Sequence, residues 1–354
     1  MAASAAMALT KSDDLQHDAS VHETKRIELP ARGARALAWV AGQLFDVAAG
    51  WTRYPLDGSA STRQYSGYGP GFDATAVAPN GDVVAVVRSI GTKGLLLDAD
   101  THFIREIDRS YYHAEAYRYP IALFTLPSGR TGIVHCPKEY NRLEIEDART
   151  GELLTGGVAR NAQDCFHSRL AVSPSGRYLL SAGWLWHPWG CLAVYDLQRA
   201  LSDGRVLDPV RSDVFDMIGL VGAEISGACF SADDVVMSTS PEPNEPEGPD
   251  DLAPNMLASW STGERRYLWR RTLGETAGDL LALGDGVLSL YRHPRLYDAA
   301  TGELVAEWPD LDTGRAASSI VWTRAFSGLA RVAVDEPNRR FAVTDGERIV
   351  VINM

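Results

Sequence analysis

The stretch Phe166–Leu201, FHSRLAVSPSGRYLLSAGWLWHPWGCLAVYDLQRAL, decides how the chain is read. It holds a short apolar run (Leu170 to Val172), a turn (Ser173-Pro174-Ser175-Gly176) and a second run (Tyr178 to Ala182). An aromatic loop follows, then a third run (Leu192 to Tyr195) that ends at Asp196. The runs are too short and too rich in Val, Tyr and Leu for helices, and the Pro-Ser-Gly supplies turn chemistry, so three successive strands are predicted.

The same order of apolar run, tight turn, apolar run, loop, apolar run recurs along the chain. Copies begin near Ala74 (ATAVAPNGDVVAVV), Ile121 (IALFTLPSGRTGIVHC), Ile225 (ISGACFSADDVVMSTS), Leu280 (LLALGDGVLSLY) and Arg331 (RVAVDEPNRRFAVT). Their turn positions, Asn80, Ser128, Ser175, Asp233, Asp285 and Asn338, lie about 47 to 58 residues apart, the spacing of four-stranded propeller blades. A less regular unit from Ala36 to Tyr65 brings the count to about seven. The last unit ends at its third strand, Arg348 to Met354. Lys25 to Pro30, KRIELP, reads as a strand with no partners of its own, and it can complete the last blade and remove both exposed edges. The predicted fold is therefore all-β: a β-propeller of about seven four-stranded antiparallel blades closed by an N-terminal strand. One domain is expected over residues 25–354, behind a flexible polar tail at 1–24.

SPSGRYLL with VYDL, APNGDVVAV, LPSGRTGIV and the DARTGELL and DAATGELV pairs resemble WD40-like and bacterial YVTN-type β-propeller repeats. The resemblance covers nearly the whole chain. It implies architecture and not function, because this fold carries scaffolds, lyases, dehydrogenases and sugar-binding proteins alike. The Gly-His and Trp-Asp signatures of WD repeats are absent.

Composition narrows the partners. A formal charge of −12 over 354 residues disfavours general binding to nucleic acid or anionic membrane, since neutralising phosphates takes a basic surface. Cys136, Cys165, Cys191 and Cys229 show no CxxC spacing and read as reduced, buried thiols; no structural zinc site and no cofactor is indicated. The N-terminus MAASAAMALTKSDD lacks the basic start and apolar core of a signal peptide, and no apolar run reaches about 18 residues. The reading is of a soluble, cytoplasmic protein.

Propeller topology sorts the loops. One face receives short polar turns such as PNGD, PSGR and TGE; the other receives the blade-to-blade connections and the loops between second and third strands. On that longer-loop face stand Tyr112, Arg118, Asp164, His167, Trp184, Trp186, His187, Trp189 and Arg324, with Arg169 and Arg331 at the start of innermost strands near the channel mouth. Aromatic rings there suit stacking on a peptide side chain, sugar or base, and the charged groups suit orienting it. Arg169 and Arg331 are read either as binding an anion such as a carboxylate or phosphate, or as pairing with acidic neighbours such as Glu224 or Asp73. His113, His135, His167, His187 and His293 lie on or near the same face, but without metal-ligand spacing. Cys165, two residues from His167 and beside Asp164, is a candidate nucleophile with the imidazole as its base, or else plain loop packing. The acidic, Pro-rich 241–254 reads as an exposed loop, and the segment 312–328 as a lid or short helix over the mouth.

The function expected is a binding or scaffold protein that recognises a protein or peptide through the aromatic-rich face. The alternative is a lyase- or hydrolase-like enzyme, or a receptor for a sugar or small acidic ligand, with its site at the mouth of the channel.

Overall fold

The computed structural model describes residues 23–48, 50–64, 68, 71–185, 189–209, 223–242, 252–318, 320 and 331–354. Its strands form seven antiparallel sheets. Counting the closing strand β1 (Lys25–Pro30) first, blade 1 is β2 (Leu37–Val40), β3 (Gln43–Asp46), β4 (Thr52–Tyr54) and β5 (Thr62–Arg63). Blade 2 is β6 (Ala74–Val77), β7 (Val83–Val87), β8 (Lys93–Asp98) and β9 (Phe103–Asp108). Blade 3 has three strands, β10 (Ile121–Thr125), β11 (Thr131–His135) and β12 (Glu144–Asp147), and so does blade 4, with β13 (Cys165–Val172), β14 (Tyr178–Leu185) and β15 (Trp189–Asp196). Blade 5 comprises β16 (Ile225–Ser231), β17 (Asp234–Thr239), β18 (Met256–Ser261) and β19 (Arg266–Thr272); blade 6 comprises β20 (Leu280–Leu283), β21 (Gly286–Ser289), β22 (Arg295–Asp298) and β23 (Leu304–Glu307). Blade 7 runs β24 (Val332–Asp335), β25 (Arg340–Thr344), β26 (Arg348–Asn353) and then β1, which comes from the other end of the chain.

The turns are built locally. In blades 2, 3 and 4 the first hairpin closes with one shared bond, Gly81, Gly129 and Gly176 each donating its N–H to the carbonyl three residues back. Gly176 takes φ +73, a left-handed conformation that is easy only for glycine. The later turns DARTG and DAATG close on an aspartate: Asp147 Oδ1 accepts from the N–H groups of Arg149 and Thr150, and Asp298 Oδ1 from those of Ala300 and Thr301.

Seven apolar clusters fill the ring, one between each adjacent pair of blades. Side chains of a strand alternate between its two faces, and here both faces are covered. On β7, Val84 and Val86 enter the cluster shared with blade 1, while Val83, Ala85 and Val87 enter the one shared with blade 3. This is why the second strands read as unbroken apolar runs rather than alternating ones.

Two boundaries depart from expectation. Cys165 to Ser168 and Trp184 to Leu185, read as loop, belong to strands: β13 and β14 are eight residues long and pair from Cys165↔Leu185 to Val172↔Leu179. The extension is held by Phe166 stacked on Trp184 across the pair, ring centroids 4.0 Å apart and 7° from parallel. After β15 the chain turns into a short helix, α1 (Leu197–Ser202), where a fourth strand was expected; the Asp196 side chain caps it by accepting from the Arg199 N–H. Leu197 and Ala200 of α1 bury against the apolar layer between blades 3 and 4. A buried Arg160 guanidinium bonded to Asp208 at 2.6 Å and to Glu144 at 3.3 Å fixes the preceding segment to the same region.

The closing strand pairs with β26 over six residues, Lys25↔Asn353 to Pro30↔Arg348, and Leu29 enters the cluster between blades 7 and 1. Of the tail expected at 1–24, only Glu23 and Thr24 lie among the described residues, and Trp308 Nε1 donates to Glu23 Oε2 at 3.1 Å. Leu29→Asp places a carboxylate in that cluster and is expected to cost about 3 kcal/mol or more. Chemical denaturation should show the loss, whereas Glu28→Gln on the exposed side of the same strand should stay within about 0.5 kcal/mol of the parent.

Candidate functional site

The starts of the innermost strands converge on one end of the central channel. They enclose a cavity of about 280 Å3 whose charged lining is Arg35, Arg118, Arg169 and Arg331 with Asp73 and Asp279. Ser89 and Ser168 add hydroxyls, and Leu37, Ile121, Leu170, Leu281 and Val332 form an apolar wall. Arg118, Arg169 and Arg331 are thereby brought together from blades 3, 4 and 7.

The two sides of this mouth differ in how their charges are satisfied. Asp279, buried, is shared: Arg118 Nη1 donates to Oδ2 at 3.1 Å and Arg169 Nη1 to Oδ1. The partner of Arg169 is thus Asp279, not Glu224 or Asp73, because a bulge in β13 between His167 and Arg169 carries the side chain across the mouth to blade 6. Glu224 accepts the Gly190 N–H instead, and Asp73 accepts from the N–H and hydroxyl of Ser89. Burial lowers the pKa of Arg118 against the support of Asp279, but a guanidinium keeps its proton in proteins. Across the mouth, Arg331 is exposed, and among the described residues its side chain donates to the Asp345 carbonyl alone, at 3.4 Å. Arg35 is exposed as well and lines the cavity; its backbone N–H bonds Asp46, and its charge lies within reach of the same carboxyl.

A second group lies on blades 3 and 4. Phe166, fully buried, is sandwiched between Trp184 and Tyr140, the latter at 4.6 Å, and Tyr112 lies beside Tyr140 at 4.9 Å. Asp164 accepts the Tyr140 hydroxyl at 2.7 Å; burial together with this bond raises the Tyr140 phenol above its usual range. Trp184 sits inside the core, so the surface of the stack is Tyr112, 42% exposed, next to Tyr111, 84% exposed. Gly183 lets the pair close up: a Cβ there would stand 2.4 Å from the Phe166 carbonyl. Trp186, His187 and Arg324 lie outside the described residues, as do 243–251 of the acidic loop and most of the segment 319–330; Trp189 opens β15.

His167 supports this group from below. Its Nδ1 meets Ser181 Oγ at 2.7 Å and its Nε2 the Asn141 carbonyl at 3.2 Å. Burial lowers its pKa to about 4, so it is neutral at physiological pH. Cys165 points the other way, to Cys191 at 3.8 Å, and that contact together with burial raises its thiol well above the usual range. A thiol held protonated and away from the imidazole is no activated nucleophile. The other described histidines scatter, His113 toward Glu115, His135 toward Glu146 and His293 toward Glu307. Among the described residues one group has metal-type donors in reach of each other, Asp98, Asp100 and His102, in the exposed turn after β8; Asp98 there already accepts the N–H groups of Asp100 and His102.

Arg109 joins the two groups. This buried guanidinium donates to the carbonyls of Gly91, Ala114, Tyr117 and Arg118 at 2.6 to 3.0 Å and lies 4.4 Å over the Tyr117 ring. It pins the 110–118 loop so that Tyr111 and Tyr112 face outward while Arg118 turns into the mouth. Arg109 carried no signal in the sequence, where it reads as one more charge after a strand. Arg35 and Asp279 did: like Asp73 and Arg331, each stands just before an innermost strand, and that recurrence marks the mouth.

These features define a seven-bladed β-propeller with a cationic channel mouth and an aromatic-backed loop beside it. No family model matches the sequence, and no curated protein matches it. Solved structures do match in fold. A chain of the mitotic checkpoint complex aligns with 98% of this chain and 99% of its own at TM-score 0.59 and 10% identity. A chain of hydrazine synthase from Kuenenia stuttgartiensis covers 92% of this chain and 96% of its own, at TM-score 0.59 and 13% identity. BamB from Moraxella catarrhalis covers the same shares at TM-score 0.51 and 13% identity. Identities this low carry the fold alone.

Two outcomes follow from this geometry. Because His167 titrates near 4 when folded and about 6.5 when unfolded, the unfolded chain binds more protons between those values, and stability falls as pH drops through them. The difference in unfolding free energy between pH 7 and pH 4.5 should be about 2.5 kcal/mol larger in the parent than in His167→Gln. Arg109→Ala leaves four carbonyls without their donor and should cost about 3 kcal/mol, with hydrogen exchange across 110–118 rising first.

Proposed function

We propose that this propeller is a non-enzymatic binding protein that takes a protein or peptide segment on its longer-loop face. The observation that carries the reading is the pair Tyr111 and Tyr112, exposed at the tip of a loop that Arg109 holds rigid and that the Tyr140–Phe166–Trp184 stack supports from behind. Exposed rings on a fixed backbone bury area on binding with little entropy to lose, which is how aromatic anchors act in interfaces. Most other large exposed apolar side chains, such as Phe103, Leu268 and Leu304, stand singly on outermost strands. The occurrence of a similar propeller in the mitotic checkpoint complex fits a role within an assembly. Capture of partners from a lysate of the source cells with immobilised full-length chain should yield a stoichiometric protein. Its affinity should fall at least tenfold in Tyr111→Ala/Tyr112→Ala and stay unchanged in Phe103→Ala; equal retention in both variants removes this face as the interface.

A further inference from the structure

The charges at the channel mouth do not cancel. Four arginines line the cavity against two aspartates, and those two are engaged with Arg118, Arg169 and Ser89. That leaves Arg35 and Arg331, which lie on adjacent blades, 1 and 7, and have no salt-bridged carboxylate among the described residues. Asp46 lies within electrostatic reach of Arg35 without forming an ion pair with it, so an anion at the mouth would complement both guanidiniums, whose planar forks match carboxylate and phosphate oxygens.

We propose that the mouth is a binding site for a small dianion or trianion, a phosphate or a polycarboxylate, held between Arg35 and Arg331. Arg118 and Arg169 form the far wall. Asp279 locks both of them in place, so that they add field without moving; the Ser89 hydroxyl already donates to Asp73 and the Ser168 hydroxyl to the Ile320 carbonyl. Leu37, Ile121, Leu170, Leu281 and Val332 make up an apolar part of the lining, against which an ion would lose its hydration uncompensated. A cavity of about 280 Å3 fits a metabolite-sized anion and not a folded partner. This site is independent of the tyrosine face: it needs neither Tyr111 nor Tyr112.

Calorimetric titration of the full chain with inorganic phosphate and, separately, citrate at constant ionic strength tests the assignment. At least one probe should bind one-to-one with Kd below roughly 1 mM, and which one does separates phosphate from carboxylate chemistry. Arg35→Ala/Arg331→Ala should weaken that binding at least tenfold. Arg339→Ala, an exposed arginine paired with Asp285 near the first turn of blade 6, should leave it unchanged, as should Tyr112→Ala, which separates this site from the partner face. Should the double variant fail to fold, the single Arg331→Ala carries the same expectation of weaker binding. No binding of either probe below that limit, or equal binding after the arginines are removed, overturns the proposal.

Discussion

Every blade in this protein buries both of its faces, and the rest of the structure follows from that constraint. A sheet whose two sides are apolar cannot stand at the end of a row, because its outer face would remain in water. Seven blades solve this by returning on themselves, so that the cluster between blades 7 and 1 is built like the other six. Closure then needs a strand from the far end of the chain, and β1 supplies it by pairing with β26. Backbone hydrogen bonds lock a ring that apolar burial drives.

Closure also creates the site. Successive innermost strands all run the same way along the channel, so whatever residue precedes each of them arrives at one mouth. In this chain that residue is repeatedly charged: Arg35, Asp73, Asp279 and Arg331 come from four blades and are distant in sequence, yet they line one cavity of about 280 Å3. Arg118 and Arg169 reach it by other routes, one from a loop held by Arg109 and one through a bulge.

Architecture was legible in the sequence because it rests on local signals repeated many times. The PNGD and PSGR turns, the Asp-closed DARTG and DAATG turns and the unpartnered KRIELP are each readable within a few residues, and together they specify number, order and closure. The site was legible only in part. Arg169 and Arg331 could be placed near the mouth by their position in the repeat, but the partner of Arg169 could not, since Asp279 is 110 residues away and meets it only through the bulge. WLWHPWG read as a loop because Gly and Pro punctuate it. The backbone instead continues as strand through Trp184 and Leu185, since the Phe166–Trp184 stack makes pairing more favourable there than a turn. Arg109 was invisible for a related reason: its partners are carbonyls, and a carbonyl leaves no mark in a sequence.

The acidity of the whole chain does not oppose a cationic mouth. A formal charge of −12 belongs to the chain as a whole, and at physiological ionic strength charges beyond about 8 Å are largely screened. What an ion at the mouth feels is set by its lining, where arginines outnumber aspartates by two. The net charge bears instead on larger partners: nucleic acid needs a basic surface wide enough to neutralise many phosphates. Overall charge and local charge thus act at different ranges, and an acidic chain can carry a cationic pocket because screening separates the two.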